Sequence, residues 1–123
     1  IAFRRNRLRV PQFFFTQSAQ KRREYFNTLG LDDAASESGA VVLRQGDRVI
    51  GFSVVLEFDD PTNRHLSCMC IHPDFFGRGL GKQLLWIIMV RVKSAGGKSI
   101  TLGTERDMRA CALYRANGFE EID

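Results

Sequence analysis

Gly77-Arg78-Gly79-Leu80-Gly81-Lys82 sets three glycines and two cations into six consecutive positions, just after Pro73 and just before the apolar run Leu84-Leu85-Trp86-Ile87-Ile88. Glycines at alternate positions let a bulky ligand approach the main chain, and the first N–H groups of a following helix have no intrahelical partner. That combination suits an anion, and a pyrophosphate in particular, with Arg78 and Lys82 adding positive charge at the rim. The same run could instead be a tight turn that only reverses the chain. Two phosphate loops are excluded by counting. A P-loop would put its first glycine on Phe76 and its Ser/Thr on Gln83, and the dinucleotide pattern that fits Gly77 and Gly79 then demands glycine at Lys82.

The elements that must hold this loop can be read around it. Ile1 to Arg5 is a candidate strand, and Pro11 opens an amphipathic helix in which Phe15, Ala19, Phe26 and Leu29 recur at helical spacing until Gly30. Asp32 to Gly39 is polar and small and reads as a loop or a broken turn of helix. "AVVLRQGDRVIGFSVVLEF" is a hairpin turning at Gln45-Gly46-Asp47, and "HLSCMCIHP" is a third strand of the meander, ended by Pro73. Gly79 to Val92 is a helix with the face Leu84, Leu85, Ile88 and Val92. "KSITLGT" is a strand, Thr104 to Asn117 a helix closed by Gly118, and Phe119 to Ile122 the opening of one more strand.

A chain of 123 residues with 44% hydrophobic content holds one core, so a single domain over 1–123 is expected. The longest apolar run, Leu84 to Val92, is far too short to span a bilayer, and no membrane partner is expected. The chain begins at Ile1 without Met, as a trimmed or processed chain would. Cys68, Cys70 and Cys111 form neither a disulfide framework nor a zinc pair and read as buried small hydrophobes, which points to a reducing, intracellular and cytoplasmic setting with no metal. The formal charge of +4 favours anionic ligands. Arg4, Arg5, Arg7 and Arg9 beside Phe13, Phe14 and Phe15 leave nucleic acid as a minor alternative.

"CIHPDFFGRGLGKQLL", followed by "DMRACALYRANGFEEI", resembles the GNAT superfamily of N-acetyltransferases, whose signature is R/Q-x-x-G-x-G/A after a strand and a later L-Y-x-x-x-G-F helix end. The resemblance implies an α+β fold, a mixed and mostly antiparallel twisted sheet flanked by helices. It implies acetyl-CoA as co-substrate, with the amides of Gly77, Arg78, Gly79, Leu80, Gly81 and Lys82 on its pyrophosphate. Ile71, with His72, would offer backbone groups to the pantetheine arm, which lies there like an added strand. Asp107 falls where relatives place an asparagine on that arm, although it could equally cap a helix with Thr104. Two departures stand out: Phe76 occupies the R/Q position, and the chain ends at Asp123 where relatives continue into further strands. Either the chain is cut there, or a second copy supplies the missing edge in a homodimer.

Direct acetyl transfer to an amine needs a neutral amine, a polarised carbonyl and a proton for the departing thiolate. Tyr114 matches the family's proton donor, its acidity tuned if a helix end or cation lowers its pKa; it could also be a core tyrosine beside Ala110 and Leu113. The base is His65, which by strand alternation shares a face with Ser67, Met69 and Ile71, or else Glu57 or Asp59 acting through a water. The expected activity is an acetyl-CoA-dependent N-acetyltransferase acting on a primary amine of a small molecule or protein. The rival is a GNAT-fold CoA-binding or interaction module without turnover.

Overall fold

The computed structural model describes residues 1–8, 32–37, 40–57, 60–106 and 108–122. Seven strands form one sheet: β1 (Ala2–Arg5), β2 (Asp32–Glu37), β3 (Ala40–Gln45), β4 (Arg48–Glu57), β5 (Asn63–Ile71), β6 (Ser99–Gly103) and β7 (Glu120–Ile122). Among the described residues two α-helices accompany them, α1 (Leu80–Ser94) and α2 (Met108–Ala116). The strands lie in the order β2-β3-β4-β5-β6-β1-β7. Only β5 and β6 run parallel; every other neighbour pair is antiparallel, so the fold is the expected mixed α+β sheet.

Most elements follow their local signals. The β3–β4 hairpin turns at Gly46, whose φ of 59° only glycine adopts without strain. The expected face of α1, Leu84, Leu85, Ile88 and Val92, is buried, and so are Trp86, Ile87 and Met89, so the middle of this helix is covered on several sides. Gly118, at φ 84°, ends α2, with the Phe119 N–H returning to the Tyr114 carbonyl.

Three readings are corrected. Asp32 to Glu37, expected as a loop, is a strand, because pairing with β3 can order a polar segment that has little strand propensity of its own. α2 begins at Met108 rather than Thr104: the Thr104 N–H donates to the Ile1 carbonyl and the Thr104 carbonyl accepts from the Ile1 amino group, both at 2.9 Å, so Thr104 extends the ladder and cannot cap a helix. Arg4 and Arg5 belong to a strand inside the sheet and not to a free arm. The expected helix from Pro11 to Leu29 lies outside the described residues, as do Arg9, Asp59 and Asp107.

β1 is inserted between β6 and β7, pairing Phe3 with Leu102 on one side and with Glu121 on the other. Phe3 is fully buried in the core that also holds Leu84, Leu85, Ile88, Ile100 and Phe119.

Candidate active site

The site begins where two parallel strands part company. β5 pairs with β6 from Asn63↔Ser99 to Leu66↔Leu102 and no further, while β5 continues against β4 to Ile71↔Gly51. From Ser67 onward, the side of β5 turned away from β4 has no strand partner among the described residues, so its outward N–H and C=O groups form an open edge suited to an extended ligand. A cavity of about 430 Å³ occupies the opening, within the range of ligand sites. Met69, Cys70 and Ile71 supply one wall, Phe75 to Gly77 and Gly79 to Lys82 the mouth, and Arg109, Ala110, Leu113 and Tyr114 of α2 the opposite wall.

The loop at the mouth is shaped by its glycines. Gly77 and Gly79 sit at φ 78° and 75°, left-handed conformations that side chains resist. Gly79 is also the residue before α1, and the first helical bond runs from the Gln83 N–H to its carbonyl at 3.1 Å. The amides ahead of Gln83 therefore have no partner within the helix, and they lie at its positive end. At Gly81 a Cβ would come within 3.3 Å of Leu113, so glycine there lets α1 and α2 approach each other beside the cavity.

Of the residues singled out in the sequence, Ile71, Gly77, Gly79, Leu80, Gly81, Lys82 and Tyr114 all line this one cavity. Arg78 does not; its guanidinium lies over the Phe75 ring at 4.9 Å. His72 is also displaced from the ligand role. Its N–H donates to the Ile50 carbonyl at 2.7 Å, and its ring caps the short turn at Pro73–Phe75 by accepting from the Asp74 N–H and meeting Arg48.

The reasoning that selected His65 also needs correction. Val54 pairs with Cys68 but Val55 pairs with Leu66, leaving Ser67 as the extra residue of a β-bulge, which breaks the alternation of faces. The core-facing side therefore runs from Leu66 to Met69 and Ile71, and His65 does not share it. His65 instead flanks the closed end of the opening: it stands beside Thr101, one rung before the last β5–β6 pair, with its Nδ1 3.0 Å from the Thr101 Oγ1. The backbone of Glu57 pairs with Arg64 at that same end of β5.

Tyr114 is 6% exposed and packs against the rings of Phe3 and Phe119 at 5.9 and 5.6 Å. Burial, reinforced by the nearby Cys70 and Cys111 thiols, pushes its hydroxyl from the ordinary 10.0 up to about 12. The sequence suggested the opposite shift, through a helix end or a cation. The cysteines divide as well: Cys111 is buried, but Cys70 is exposed and lines the cavity, because β6 stops before it could cover that part of β5. Sequence reasoning missed Arg109, whose guanidinium rests 4.5 Å from the centre of the Phe76 ring at the cavity mouth. Its place two positions after Asp107, on the helix that carries Tyr114, was the available signal.

A parted pair of parallel strands, a glycine loop opening a helix, and a tyrosine from the next helix together frame one cleft. Residues 5–119 match the model of the Acetyltransferase (GNAT) family, and the chain belongs to that family. It is 35% identical over 81 residues to a mycothiol acetyltransferase of Thermobispora bispora, a match that takes in 64% of this chain but only 25% of that protein. Among solved structures it resembles Ard1 from Thermoplasma volcanium, with a TM-score of 0.66 and 16% identity over 99% of this chain and 84% of that one. It also resembles the IAA acetyltransferase from Bacillus cereus, with a TM-score of 0.63 and 22% identity over 100% and 78% of the two chains. A third is AAC(6')-Iy, solved in complex with a CoA bisubstrate analogue, at a TM-score of 0.59 and 21% identity over 68% of this chain and 63% of that one. These structural likenesses define the fold.

Proposed function

We propose that this chain transfers an acetyl group from acetyl-CoA to a primary amine by direct attack. One observation carries the reading: the open edge of β5, the Gly77–Lys82 loop and Tyr114 face a single cavity. A pantetheine arm laid along Met69 to Ile71 would bond to the strand edge, with its pyrophosphate on the amides before Gln83 and its thioester directed toward the closed end of the opening. The amine nitrogen attacks the thioester carbon, the C–S bond breaks, and the sulfur leaves with negative charge. Tyr114, protonated throughout the ordinary pH range, donates a hydrogen bond to that sulfur as its charge develops. His65, beside Thr101, is the proposed acceptor of the proton that the amine sheds, with Glu57 and Asp59 as rivals. Asp107 remains a proposed contact to the pantetheine arm.

A second reading, a module that binds CoA without turning it over, is favoured by the apolar Phe76 at the loop entry. Isothermal titration with acetyl-CoA and with ADP, followed by a screen of primary amines, separates the two. Micromolar binding of acetyl-CoA with weaker binding of ADP, together with turnover of some amine, is the expected result. Tyr114→Phe should then lower kcat roughly 100-fold or more while acetyl-CoA affinity stays within about twofold. Absence of binding at millimolar acetyl-CoA would remove the enzyme reading, and tight binding without turnover across the screen would leave the module.

A further inference from the structure

Resting on the acetyl-CoA reading above, we propose that Arg109, steadied on the ring of Phe76, is the side chain that grips a phosphate group of the cofactor at the mouth of the cleft. The cations around the loop are disposed unequally toward the cavity. Arg48 is tied to Asp74 by an ion pair at 3.1 Å and meets His72 at the same distance. Arg78 lies over Phe75 and does not reach the cavity. Lys82 lines the cavity, but its ammonium is drawn over the Trp86 ring at 4.8 Å, on the side of α1.

Arg109 stands on the opposite wall. It lines the cavity with Phe76, Gly77 and Gly79, and its guanidinium is 4.5 Å from the Phe76 ring centre. Phe76 remains 47% exposed with the Arg109 guanidinium against its ring, so this side of the mouth stays open to an entering ligand. A guanidinium can stack by its face and still donate from its edge, in the forked geometry that matches phosphate oxygens. The contact also joins α2 to the loop that opens α1, so a phosphate between the loop amides and Arg109 would be held from both sides. Phe76 is then a positioning residue and Arg109 the binding one.

The test is isothermal titration of wild-type, Arg109→Ala, Arg109→Lys, Phe76→Ala and the Phe76→Ala/Arg109→Ala double variant, with thermal melting to establish that each is folded. The ligands are CoA and 3'-dephospho-CoA, and S-acetyl-pantetheine serves as an unphosphorylated acetyl donor in turnover. Arg109→Ala should bind CoA roughly 10- to 100-fold more weakly, with a shallower salt dependence, and should lower kcat/KM for acetyl-CoA by a larger factor than kcat/KM for S-acetyl-pantetheine. Arg109→Lys should recover part of the loss. Phe76→Ala should lose about threefold, and the double variant should bind no worse than Arg109→Ala alone. A loss on CoA alone assigns Arg109 to the 3'-phosphate, and an equal loss on both nucleotides assigns it to the pyrophosphate. Wild-type binding with an unchanged Arg109→Ala overturns this inference and leaves the acetyl-CoA reading standing, as does an equal loss with S-acetyl-pantetheine. Failure of the wild-type chain to bind CoA overturns both.

Discussion

Tyr114 shows how much of a residue's chemistry lies outside its identity. The family resemblance marked it as the proton donor, but the sign of its shift depends on neighbours from distant parts of the chain, Phe3, Cys70 and Phe119. With the folded hydroxyl at about 12 and the ordinary value at 10.0, the native state keeps a proton that the unfolded chain loses between those values. Below pH 10 the group therefore gives stability no slope; from pH 10 toward 12 stability falls, by about 3 kcal/mol in all. Urea unfolding at pH 9, 10 and 11 should show a steeper alkaline loss for the wild-type chain than for Tyr114→Phe. In turnover, kcat should show no descending limb below pH 10 that disappears in Tyr114→Phe; such a limb near pH 9 would mean that the hydroxyl is far more acidic than its surroundings imply. Cys70 was misread as buried for a related reason. Its exposure is decided by where β6 ends, and nothing in Cys68-Met69-Cys70 records that.

Among the elements, those with strong local punctuation were legible: the hairpin at Gly46, the helix opened by the glycine loop and the helix stopped by Gly118. Those decided by pairing were not. β2 is polar and depends on β3, and the bulge at Ser67 cannot be inferred from a strand sequence that alternates regularly, so one extra residue was enough to move His65 off the expected face. The loop offers a sharp test at this scale. Gly79→Ala places a side chain at φ 75° where nothing lies within 4 Å of the new Cβ, so its cost is backbone strain alone, about 1–2 kcal/mol. Thermal melting should register that loss, and because relief of the strain rotates the amides ahead of Gln83, acetyl-CoA affinity measured by titration should fall with it. A melting loss with unchanged affinity would show that those amides do not hold the ligand.

For the whole molecule, the decisive element is β1. Its strand character was legible in Ile1 to Arg5, but its position between β6 and β7 was not, since contacts between residues a hundred positions apart leave no local trace. Phe3 joins the sheet to the reactive end of the cleft, being fully buried and in ring contact with Tyr114. Phe3→Ala should cost about 3–5 kcal/mol in denaturant unfolding. At temperatures where the variant is still folded, it should lower kcat more than acetyl-CoA affinity, because the cavity it opens lies behind Tyr114 and away from the glycine loop. Among the described residues β7 has no strand neighbour except β1, and β1 meets β6 through residues 100–103. During synthesis, residues 1–5 leave the ribosome long before either partner exists, and at roughly 5–20 residues per second they wait several seconds for it. Until then Phe3 has neither Tyr114 nor Leu102 to cover it, so the nascent chain carries a sticky apolar segment and a cleft with one wall unfinished until the chain through Ile122 has emerged.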